Sequence, residues 1–232
     1  MGPKLIKSNG FNCFAAGATL VFCENIVLKK RRRLLFQKRQ VVEAYYAYDF
    51  ETIREISGDA YTFAKFGHLS DKILQHFEIH PDRVEITRST SSPETLAAWV
   101  FSESIVRIFD GDGGLRSTFV PEPPWAGALY SVALTENGFW AAFPTVSTVY
   151  FYAFEDPVLP AIELYGFSYP EHVNVIGSSL YVCEMGNDRI CILDSATGEM
   201  KDTISFDESV WKYLEVGEHR VVRLQSGIYL LD

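Results

Sequence analysis

Short runs of alternating or continuous apolar residues recur along the whole chain, bounded by Gly, Asn, Asp and Pro, with little helical periodicity between them. The clearest stretch is residues 172–206, HVNVIGSSLYVCEMGNDRICILDSATGEMKDTISF. Its GNDR and DSATGE segments supply the residues that tight hairpin turns need for positive φ. The pattern predicts a mostly β fold, with four strands in this stretch at 172–177, 179–185, 190–194 and 201–206.

This four-strand pattern repeats along the chain. The second strands are similar, since TLVFCEN at 19–25 resembles SLYVCEM at 179–185. Each third strand is an apolar run closed by an acid, and the gaps between successive closing acids are 61, 45, 39 and 38 residues. A repeat of about 40 residues, with extra residues early in the chain, is typical of propeller blades. The five closing acids are Asp49, Asp110, Glu155, Asp194 and Asp232.

The two ends of the chain complement each other. The fifth repeat stops at its third strand, residues 228–232, and therefore lacks an outer fourth strand. Residues 3–8, PKLIKS, alternate like an edge strand and precede the first strand of repeat one. We expect them to supply the missing strand. The predicted fold is all-β: a five-bladed β-propeller of four-stranded antiparallel blades, one domain over 1–232, self-contained as a monomer. Two unrelated β-sandwiches are the alternative, but they would not explain the repeat.

Two of these repeats also carry a family resemblance. The segments GNDRICILDSATGEMKDTI and SIVRIFDGDGGLRSTF resemble blades of the broad class that includes NHL-repeat, YVTN-type and WD-repeat propellers. In that class a polar turn precedes an apolar strand, which is followed by Asp and a Gly-containing turn. The resemblance covers residues 95–232 best, and the Gly-His and Trp-Asp pairs of WD repeats are absent. It implies the propeller fold and no particular activity.

Composition and cysteine placement bear on the compartment. The chain is 47% hydrophobic and 14% aromatic with a net charge of −9, as expected for a soluble globular protein. It has no apolar run of the roughly 18 residues that a membrane helix needs and no signal-peptide core at its start. Cys13, Cys23, Cys183 and Cys191 each lie in an apolar run, which predicts buried free thiols and a cytoplasmic location. A Cys183–Cys191 disulfide is the alternative.

Long connections are predicted at 26–43, 58–82, 121–127 and 167–171, all on one face of the propeller. The first contains seven of the 21 basic residues, and without them 14 bases face 30 acids, a charge of −16. Such a run can bind an acidic protein surface or anionic lipid, or act as a nuclear-import signal. The overall acidity argues against nucleic acid, and a solvated β-ribbon is the alternative. The seven residues are Lys29, Lys30, Arg31, Arg32, Arg33, Lys38 and Arg39.

The second long connection contains the one helical pattern. Ser70 is a predicted N-cap, and Pro81 is predicted to end the helix. His76 and His80 are four residues apart, as a metal pair would be, but no further ligand is indicated, so structural or surface histidines are expected. The DGDGG segment at 110–114 lacks the remaining ligands of a calcium loop and predicts a Gly-rich hairpin turn. We therefore predict no metal and no cofactor.

Aromatic residues complete the predicted partner-binding face. Trp125 lies in the proline-rich segment VPEPPWAG, and Tyr169 and Trp211 lie in or beside neighbouring connections, with Phe167 close by. Exposed aromatics on one face are typical of a protein-binding hot spot. Packing between adjacent blades is the alternative.

No catalytic motif is present: the chain has no G-x-S-x-G elbow, Walker loop, H-E-x-x-H or dinucleotide fingerprint. We therefore predict a non-enzymatic module that binds another protein through the basic run and the three aromatics. Two alternatives stay open. The first is an acidic inhibitor or immunity-type protein that neutralises a basic partner. The second is a small glycoside hydrolase with paired carboxylates in the central funnel.

Overall fold

A computed structural model describes residues 3–8, 10–28, 40–79, 83–89, 95–100, 104–120 and 127–231. The basic run at 29–39 and Trp125 lie outside these residues. Two compact units make up the chain, one of residues 1–65 and 214–232 and the other of residues 66–213. That the whole chain is one domain stays a prediction. Among the described helices, none combines the length and apolar character needed to cross a membrane.

The described chain forms five four-stranded antiparallel sheets, each meandering from an inner to an outer strand. This confirms the predicted five-bladed β-propeller. The blades, in chain order, are β2 (Gly10–Ala16), β3 (Thr19–Leu28), β4 (Gln40–Tyr48), β5 (Ile53–Ile56); β6 (Val84–Arg88), β7 (Leu96–Val100), β8 (Val106–Phe109), β9 (Leu115–Phe119); β10 (Ser131–Leu134), β11 (Gly138–Phe143), β12 (Thr148–Ala153), β13 (Ile162–Tyr165); β14 (Pro170–Ile176), β15 (Ser179–Glu184), β16 (Arg189–Asp194), β17 (Met200–Ser205); and β18 (Val210–Val216), β19 (His219–Leu224), β20 (Gly227–Leu231) with β1 (Lys4–Ser8).

The N-terminal strand completes the last blade, as predicted. β1 pairs antiparallel with β20, from Lys4 opposite Leu230 to Ser8 opposite Gly227, with a bulge between Leu5 and Lys7. Gly227 is required here because a Cβ on it would lie 2.5 Å from the Lys7 carbonyl oxygen. Lys7 also forms a 3.0 Å ion pair with Glu24 of blade one. The strand therefore covers the backbone edge that β20 would otherwise expose.

The second strands are the most buried because sheets cover both of their faces. In β11 every residue is buried. Phe139, Ala141 and Phe143 pack with residues of blade two, while Trp140 and Ala142 pack with residues of blade four. This explains why these strands are continuous apolar runs, whereas outer strands such as β13 alternate between half-buried and exposed positions.

The repeated closing acid has a structural role. The Asp194 carboxylate accepts hydrogen bonds from the backbone N–H groups of Ala196 and Thr197, at 2.9 and 3.0 Å. Asp49 and Asp110 bind the backbone of their own turns in the same way, at 2.7–3.0 Å. Each acid thus fixes the turn between the third and fourth strands of its blade. The DGDGG segment is one of these turns, which confirms the predicted hairpin.

In the first unit, the core lies on both faces of blade one. One face packs Cys13, Leu20 and Phe22 against Val221 and Ile228 of the last blade. The other face packs Val21 and Cys23 against Tyr61 of the helical insertion. β3 and β4 continue into the first predicted insertion, where Ile26, Val27 and Leu28 pair with Val42, Val41 and Gln40. The two ends of the basic run are therefore joined to paired strands.

The helix of the second insertion starts earlier than predicted. It comprises α1 (Gly58–Phe66), a 3₁₀ turn (Gly67–Leu69) and α2 (Ser70–Leu74). Ser57 caps α1, because its Oγ accepts a 3.1 Å hydrogen bond from the Ala60 N–H. The prediction that Ser70 is the N-cap was wrong: Ser70 has helical φ and ψ angles and directly continues the preceding 3₁₀ turn.

Part of this insertion lies away from the face on which it was predicted. Phe66, Leu69 and Ile73 are buried against Val84, Leu96 and Phe109 of blade two. The Lys72 ammonium donates a 2.7 Å hydrogen bond to the Asp112 carbonyl oxygen. Asp112 is in the turn between the third and fourth strands, at the opposite end of the blade from the strand-four-to-one connections. Apolar burial therefore makes this segment part of the core of blade two.

Candidate functional site

A buried carboxylate organises the end of blade four at which the 166–169 connection enters the blade. Glu184, the last residue of β15, is fully buried. Its side chain accepts hydrogen bonds from the Ser168 N–H at 2.6 Å, Asn187 Nδ2 at 3.0 Å and the Cys191 thiol at 2.9 Å, and it is ion-paired with Arg189. Each carboxylate oxygen thus has two partners, which is what a buried charge requires.

These partners also determine the protonation states. Burial raises the pKa of Glu184, but the hydrogen bonds from Arg189, Cys191 and Ser168 outweigh it and leave the pKa below its ordinary value. Burial and the bond to this carboxylate raise the pKa of Cys191 to about 12. At neutral pH the carboxylate is therefore charged and the thiol is protonated, so the thiol is the donor.

The Glu184 network fixes the backbone at Tyr169. The Met185 N–H donates to the Tyr169 carbonyl oxygen at 3.1 Å, and the Gly186 N–H donates to that of Ser168 at 3.0 Å. Tyr169 has a φ of 54°, the left-handed region that a residue with a Cβ seldom adopts. The connection is therefore held in this strained conformation by hydrogen bonds to residues 184–186.

Tyr169 is joined to a second tyrosine from the adjacent blade. The Tyr130 and Tyr169 hydroxyls are 3.0 Å apart and share a hydrogen bond, and the two rings are nearly perpendicular at 88°, with centroids 5.9 Å apart. Both side chains are half-buried. Trp99 Nε1 donates to the Tyr130 carbonyl oxygen at 3.2 Å, which fixes the backbone of this tyrosine as well.

The charge beside this pair is negative. The hydrogen bond to Tyr169, burial, and the nearby charges of Tyr169 and Glu171 raise the pKa of Tyr130 to about 12. The phenol is therefore neutral at physiological pH, and Glu171 supplies the negative charge. We call Tyr130, Tyr169 and Glu171 the tyrosine site.

Three inner strands of the second unit bring further polar groups together. The Lys212 ammonium of β18 is 3.7 Å from the Glu85 carboxylate of β6. His172 on β14 is half-buried, and burial of the ring, together with the Lys212 charge, holds its pKa well below the ordinary value. His172 is therefore a neutral imidazole, and Glu85 is an ion-paired carboxylate.

The predicted site residues have different outcomes. Tyr169 is in the tyrosine site. Trp211 is partly buried in β18, next to Lys212, and Phe167 is buried in the core between blades three and four, as the packing alternative expects. Lys29, Lys30, Arg31, Arg32, Arg33, Lys38, Arg39 and Trp125 lie outside the described residues, so their role stays a prediction.

Tyr130 was missed by the sequence analysis, although a signal for it exists. Tyr130 directly precedes β10 and Tyr169 directly precedes β14. Aligning the third and fourth repeats on their first strands therefore places the two tyrosines at the same repeat position.

The positions of the cysteines and histidines decide two further predictions. All four cysteines are buried, and none of them forms a disulfide. Cys183 lies opposite Ile190, and Cys191 lies opposite Val182, so the two thiols point to opposite faces of the sheet and the Cys183–Cys191 disulfide alternative was wrong. The His76 ring lies 5.5 Å from that of Phe109, and His80 lies outside the described residues. Within those residues, no three His, Cys, Asp or Glu side chains are grouped as a metal site would require.

The five repeated sheets and the closing strand define a β-propeller repeat protein. Known structures with this fold are similar to the chain: the WD40 domain of Neurospora crassa Pan2 (16% identity over 68% of this chain and 50% of that one, TM-score 0.50) and Saccharomyces cerevisiae Sqt1 (9% identity, 91% and 54%, TM-score 0.50). BamB from Moraxella catarrhalis is similar over 59% of this chain and 39% of its own, with 14% identity and a TM-score of 0.45.

These similarities concern the fold alone. The chain spans about half the length of the Pan2 and Sqt1 structures that it matches. No protein-family model matches the chain, and no curated protein sequence does.

Proposed function

We propose that the protein is a non-enzymatic interaction module, which binds another protein through one loop-rich propeller face that includes the basic run. The observation that carries this proposal is the fixed backbone at Tyr169, whose φ of 54° is maintained by hydrogen bonds to Met185 and to the Glu184 network. A strained and half-exposed aromatic residue held in place before a partner arrives has little conformational entropy left to lose on binding.

The basic run supports the same proposal because both of its ends are attached to paired strands. It connects Leu28 to Gln40, which are directly paired across β3 and β4. Its seven bases within eleven positions give it a charge opposite to that of the remaining chain. We propose that an acidic protein surface is its partner, with an anionic membrane as the alternative.

Affinity capture tests this function. Immobilised wild-type protein is compared with the triple variant Arg31→Glu, Arg32→Glu, Arg33→Glu, and captured proteins are identified by mass spectrometry. A matched control makes the same charge change at Lys4, Arg54 and Arg116, which are exposed residues of three outer strands. We expect capture to be lost in the first variant and kept in the control. Loss in both, or in neither, contradicts a role for the run.

The acidic-inhibitor alternative gives a different result in this experiment. The acidic-inhibitor alternative is based on the charge of −16 outside the basic run. A basic partner would still be captured by the triple variant, and its binding would weaken as salt is raised. Co-sedimentation with phosphatidylserine vesicles tests the membrane alternative. Release of sugar from aryl glycosides, lost on substitution of Glu85, would instead favour a hydrolase.

We also propose that the protein is a cytoplasmic monomer, or a nuclear one if the basic run acts as an import signal. Four buried cysteines without a disulfide are consistent with a reducing compartment, and β1 covers the edge of β20 on which a second chain would pair. Light scattering after gel filtration and localisation of a tagged chain test these two statements.

A further inference from the structure

We propose that Arg107 of β8 binds a carboxylate side chain, aspartate or glutamate, in a segment of a partner protein. The inference rests on the proposed function, since it assumes a protein partner with acidic side chains. It concerns a residue outside the basic run, so the two ideas can fail separately.

Arg107 lies on the face of blade two that the helical insertion covers. It is opposite Ala98 of β7 and Thr118 of β9. Its Cζ atom is 4.5 Å from the centre of the Phe77 ring, which packs on the same face as Ala98. Directly opposite residues of antiparallel strands share a face of the sheet. The aromatic ring therefore holds the guanidinium in position, beside the exposed residue Thr118.

The Arg107 guanidinium lacks an acceptor within the described part of the chain. Its Nη1 atom is buried and makes no hydrogen bond there. No carboxylate among the described residues forms an ion pair with it. A donor that loses contact with water without gaining an acceptor costs free energy, and nearly all buried donors in folded proteins are paired. An acceptor brought by another molecule would complete this group.

The other described arginines differ from Arg107. Arg189 and Arg223 are also half-buried, but Arg189 is ion-paired with Glu184, and the Arg223 Nε donates to the Gly10 carbonyl oxygen. The remaining arginines of the described chain are exposed, so water can solvate them; they are Arg54, Arg83, Arg88, Arg116 and Arg220. Among these residues, Arg107 therefore combines partial burial with a missing acceptor.

The charge around Arg107 matches a ligand with one negative charge. The charged residues nearest in sequence to Phe77 and Thr118 are Glu78 and Arg116, which are exposed and of opposite sign. A carboxylate carries one charge and can accept two parallel N–H bonds from a guanidinium group. A phosphoryl group carries nearly two charges at neutral pH and is typically bound by a cluster of arginines. Charge therefore favours a carboxylate.

Exposed apolar side chains near Thr118 favour a protein segment over a small free acid. Leu115 is 41% exposed and lies opposite Phe109, two residues from Arg107. Val120, which directly follows β9, is 61% exposed. A small acid would leave both side chains in water, whereas a polypeptide can cover them while its carboxylate contacts the guanidinium. A positioned arginine with apolar neighbours is typical of a binding hot spot.

The test uses the fluorescein-labelled peptide Gly-Ser-Leu-Glu-Leu-Ser-Gly, titrated with the full chain and followed by fluorescence anisotropy. In three companion peptides glutamine, lysine or phosphoserine replaces the glutamate. We expect the glutamate peptide to bind about tenfold more tightly than the glutamine peptide. The chain has a net charge of −9, so unspecific attraction would favour the lysine peptide instead.

Variants of the site assign this preference to single groups. Arg107→Gln should weaken binding of the glutamate peptide about tenfold and leave that of the glutamine peptide unchanged. Arg107→Lys keeps the charge but loses the planar fork, so its effect should be smaller. Phe77→Leu keeps an apolar side chain without the ring and should weaken binding about threefold. Arg116→Gln removes an exposed arginine of β9 and is the matched control, which should bind both peptides like the wild type.

Thermal unfolding separates a binding role of Arg107 from a structural one. Because the guanidinium has no acceptor among the described residues, Arg107→Gln should leave the unfolding midpoint unchanged or raise it. If Arg107→Gln fails to fold, Arg107→Lys and Arg116→Gln still compare the fork with a control charge.

Three results would overturn the inference. The first is equal affinity for the glutamate and glutamine peptides, or tightest binding of the lysine peptide. The second is a loss of binding in Arg116→Gln equal to that in Arg107→Gln, which indicates attraction to any surface base. The third is tightest binding of the phosphoserine peptide through Arg107, which would assign a phosphoryl ligand to the site.

The peptide and capture experiments can fail separately. A chain that binds none of the peptides, but still captures a protein through the basic run, refutes the Arg107 site and leaves the proposed function standing. Binding of the glutamate peptide without any partner capture contradicts the function assigned to the basic run and supports the Arg107 site.

Discussion

The two ends of blade four each depend on a carboxylate, but in different ways. At one end Glu184 is fully buried and joins Ser168, Asn187, Cys191 and Arg189. At the other end Asp194 is partly exposed and binds the N–H groups two and three residues after it. The pKa of each carboxylate is below its ordinary value. A lowered pKa therefore occurs in Glu184, which joins several segments of the chain, and also in Asp194, which binds only its own hairpin.

The two carboxylates therefore differ in how much the stability of the fold and the position of Tyr169 depend on them. The Asp194 turn is held by its own backbone and by Lys201, 2.9 Å away, so its loss leaves solvent to replace the missing bonds. Loss of Glu184 leaves Arg189 without its buried carboxylate partner and removes the acceptor of the Ser168 N–H. We therefore expect large effects at the Glu184 end, including on Tyr169, and small ones at the Asp194 end.

The largest expected effect is that of Glu184→Ala. Removing the carboxylate leaves the Ser168 N–H and the buried Cys191 thiol without their acceptor, whereas the Arg189 side chain is 35% exposed and can turn to solvent. We therefore expect the free energy of unfolding to fall by about 3 kcal/mol. Urea unfolding at neutral pH measures it. Glu163→Ala, at an exposed position of β13, is the control and should leave stability within about 0.5 kcal/mol of the wild type. Equal effects of the two substitutions would mean that the Glu184 network does not stabilise the fold.

This contrast also explains how much of the fold was predictable. The strands of blade four were predicted to within two residues because period-two burial and turn residues are local signals. The pairing of β1 with β20 was predicted from a missing strand at one end and a spare one at the other. The start of α1 was missed because Ser57 and Ser70 are both acceptable caps, and the apolar contacts of Tyr61 and Phe66 with blades decide where the helix begins.

The site was less predictable than the fold for the same reason. Tyr169 was predicted from its position in a connection, but its strained φ depends on Glu184, which is 15 positions further along the chain. Nothing in the sequence distinguishes Glu184 from the exposed acids until the network around it is known. The Asp194 turn, in contrast, is fully specified by the segment DSATG.

Two tryptophans each donate a hydrogen bond to a backbone carbonyl on a neighbouring segment. Trp140 Nε1 donates to Ser195, beside Asp194, at 3.0 Å, and Trp99 Nε1 donates to Tyr130 at 3.2 Å. Replacing either with Phe removes buried volume and a donor, so each should cost about 2 kcal/mol in urea unfolding. Only Trp99→Phe should also weaken capture of the protein partner, because Trp99 fixes the backbone of Tyr130. If Trp140→Phe weakens it equally, the two ends of the blades are coupled and the proposed separation is wrong.

Two turns of blade four contain a glycine with positive φ. Gly198 has a φ of +75°, and a Cβ on it would lie 2.7 Å from a Leu164 methyl group, whereas Gly177 has a φ of +58° with open space around it. Gly177→Ala should cost about 1 kcal/mol because of φ alone. Gly198→Ala should cost slightly more, since the Leu164 side chain must also move. A smaller loss at Gly198, measured by thermal unfolding, would show that the Asp194 turn relaxes readily.

The smallest expected effect is that of Asp194 on the pH dependence of stability. Hydrogen bonds from Lys201, Ala196 and Thr197 lower its pKa from 3.8 to about 2. Because the pKa is lowered in the folded protein, the stabilisation is complete above the ordinary value and is lost as the pH falls from 3.8 towards about 2. Asp194→Asn keeps the oxygen acceptor but removes the charge, so its unfolding midpoint should fall less steeply than that of the wild type over this range.

Asp194→Ala removes the acceptor as well and should lower the midpoint at every pH, by less than Trp140→Phe does. Asp207→Asn, an exposed acid outside the hairpin, is the control for net charge. If Asp194→Asn and Asp194→Ala behave identically at neutral pH, the backbone alone maintains the turn, and the acid at the end of each third strand would have to be explained by something other than its hydrogen bonds.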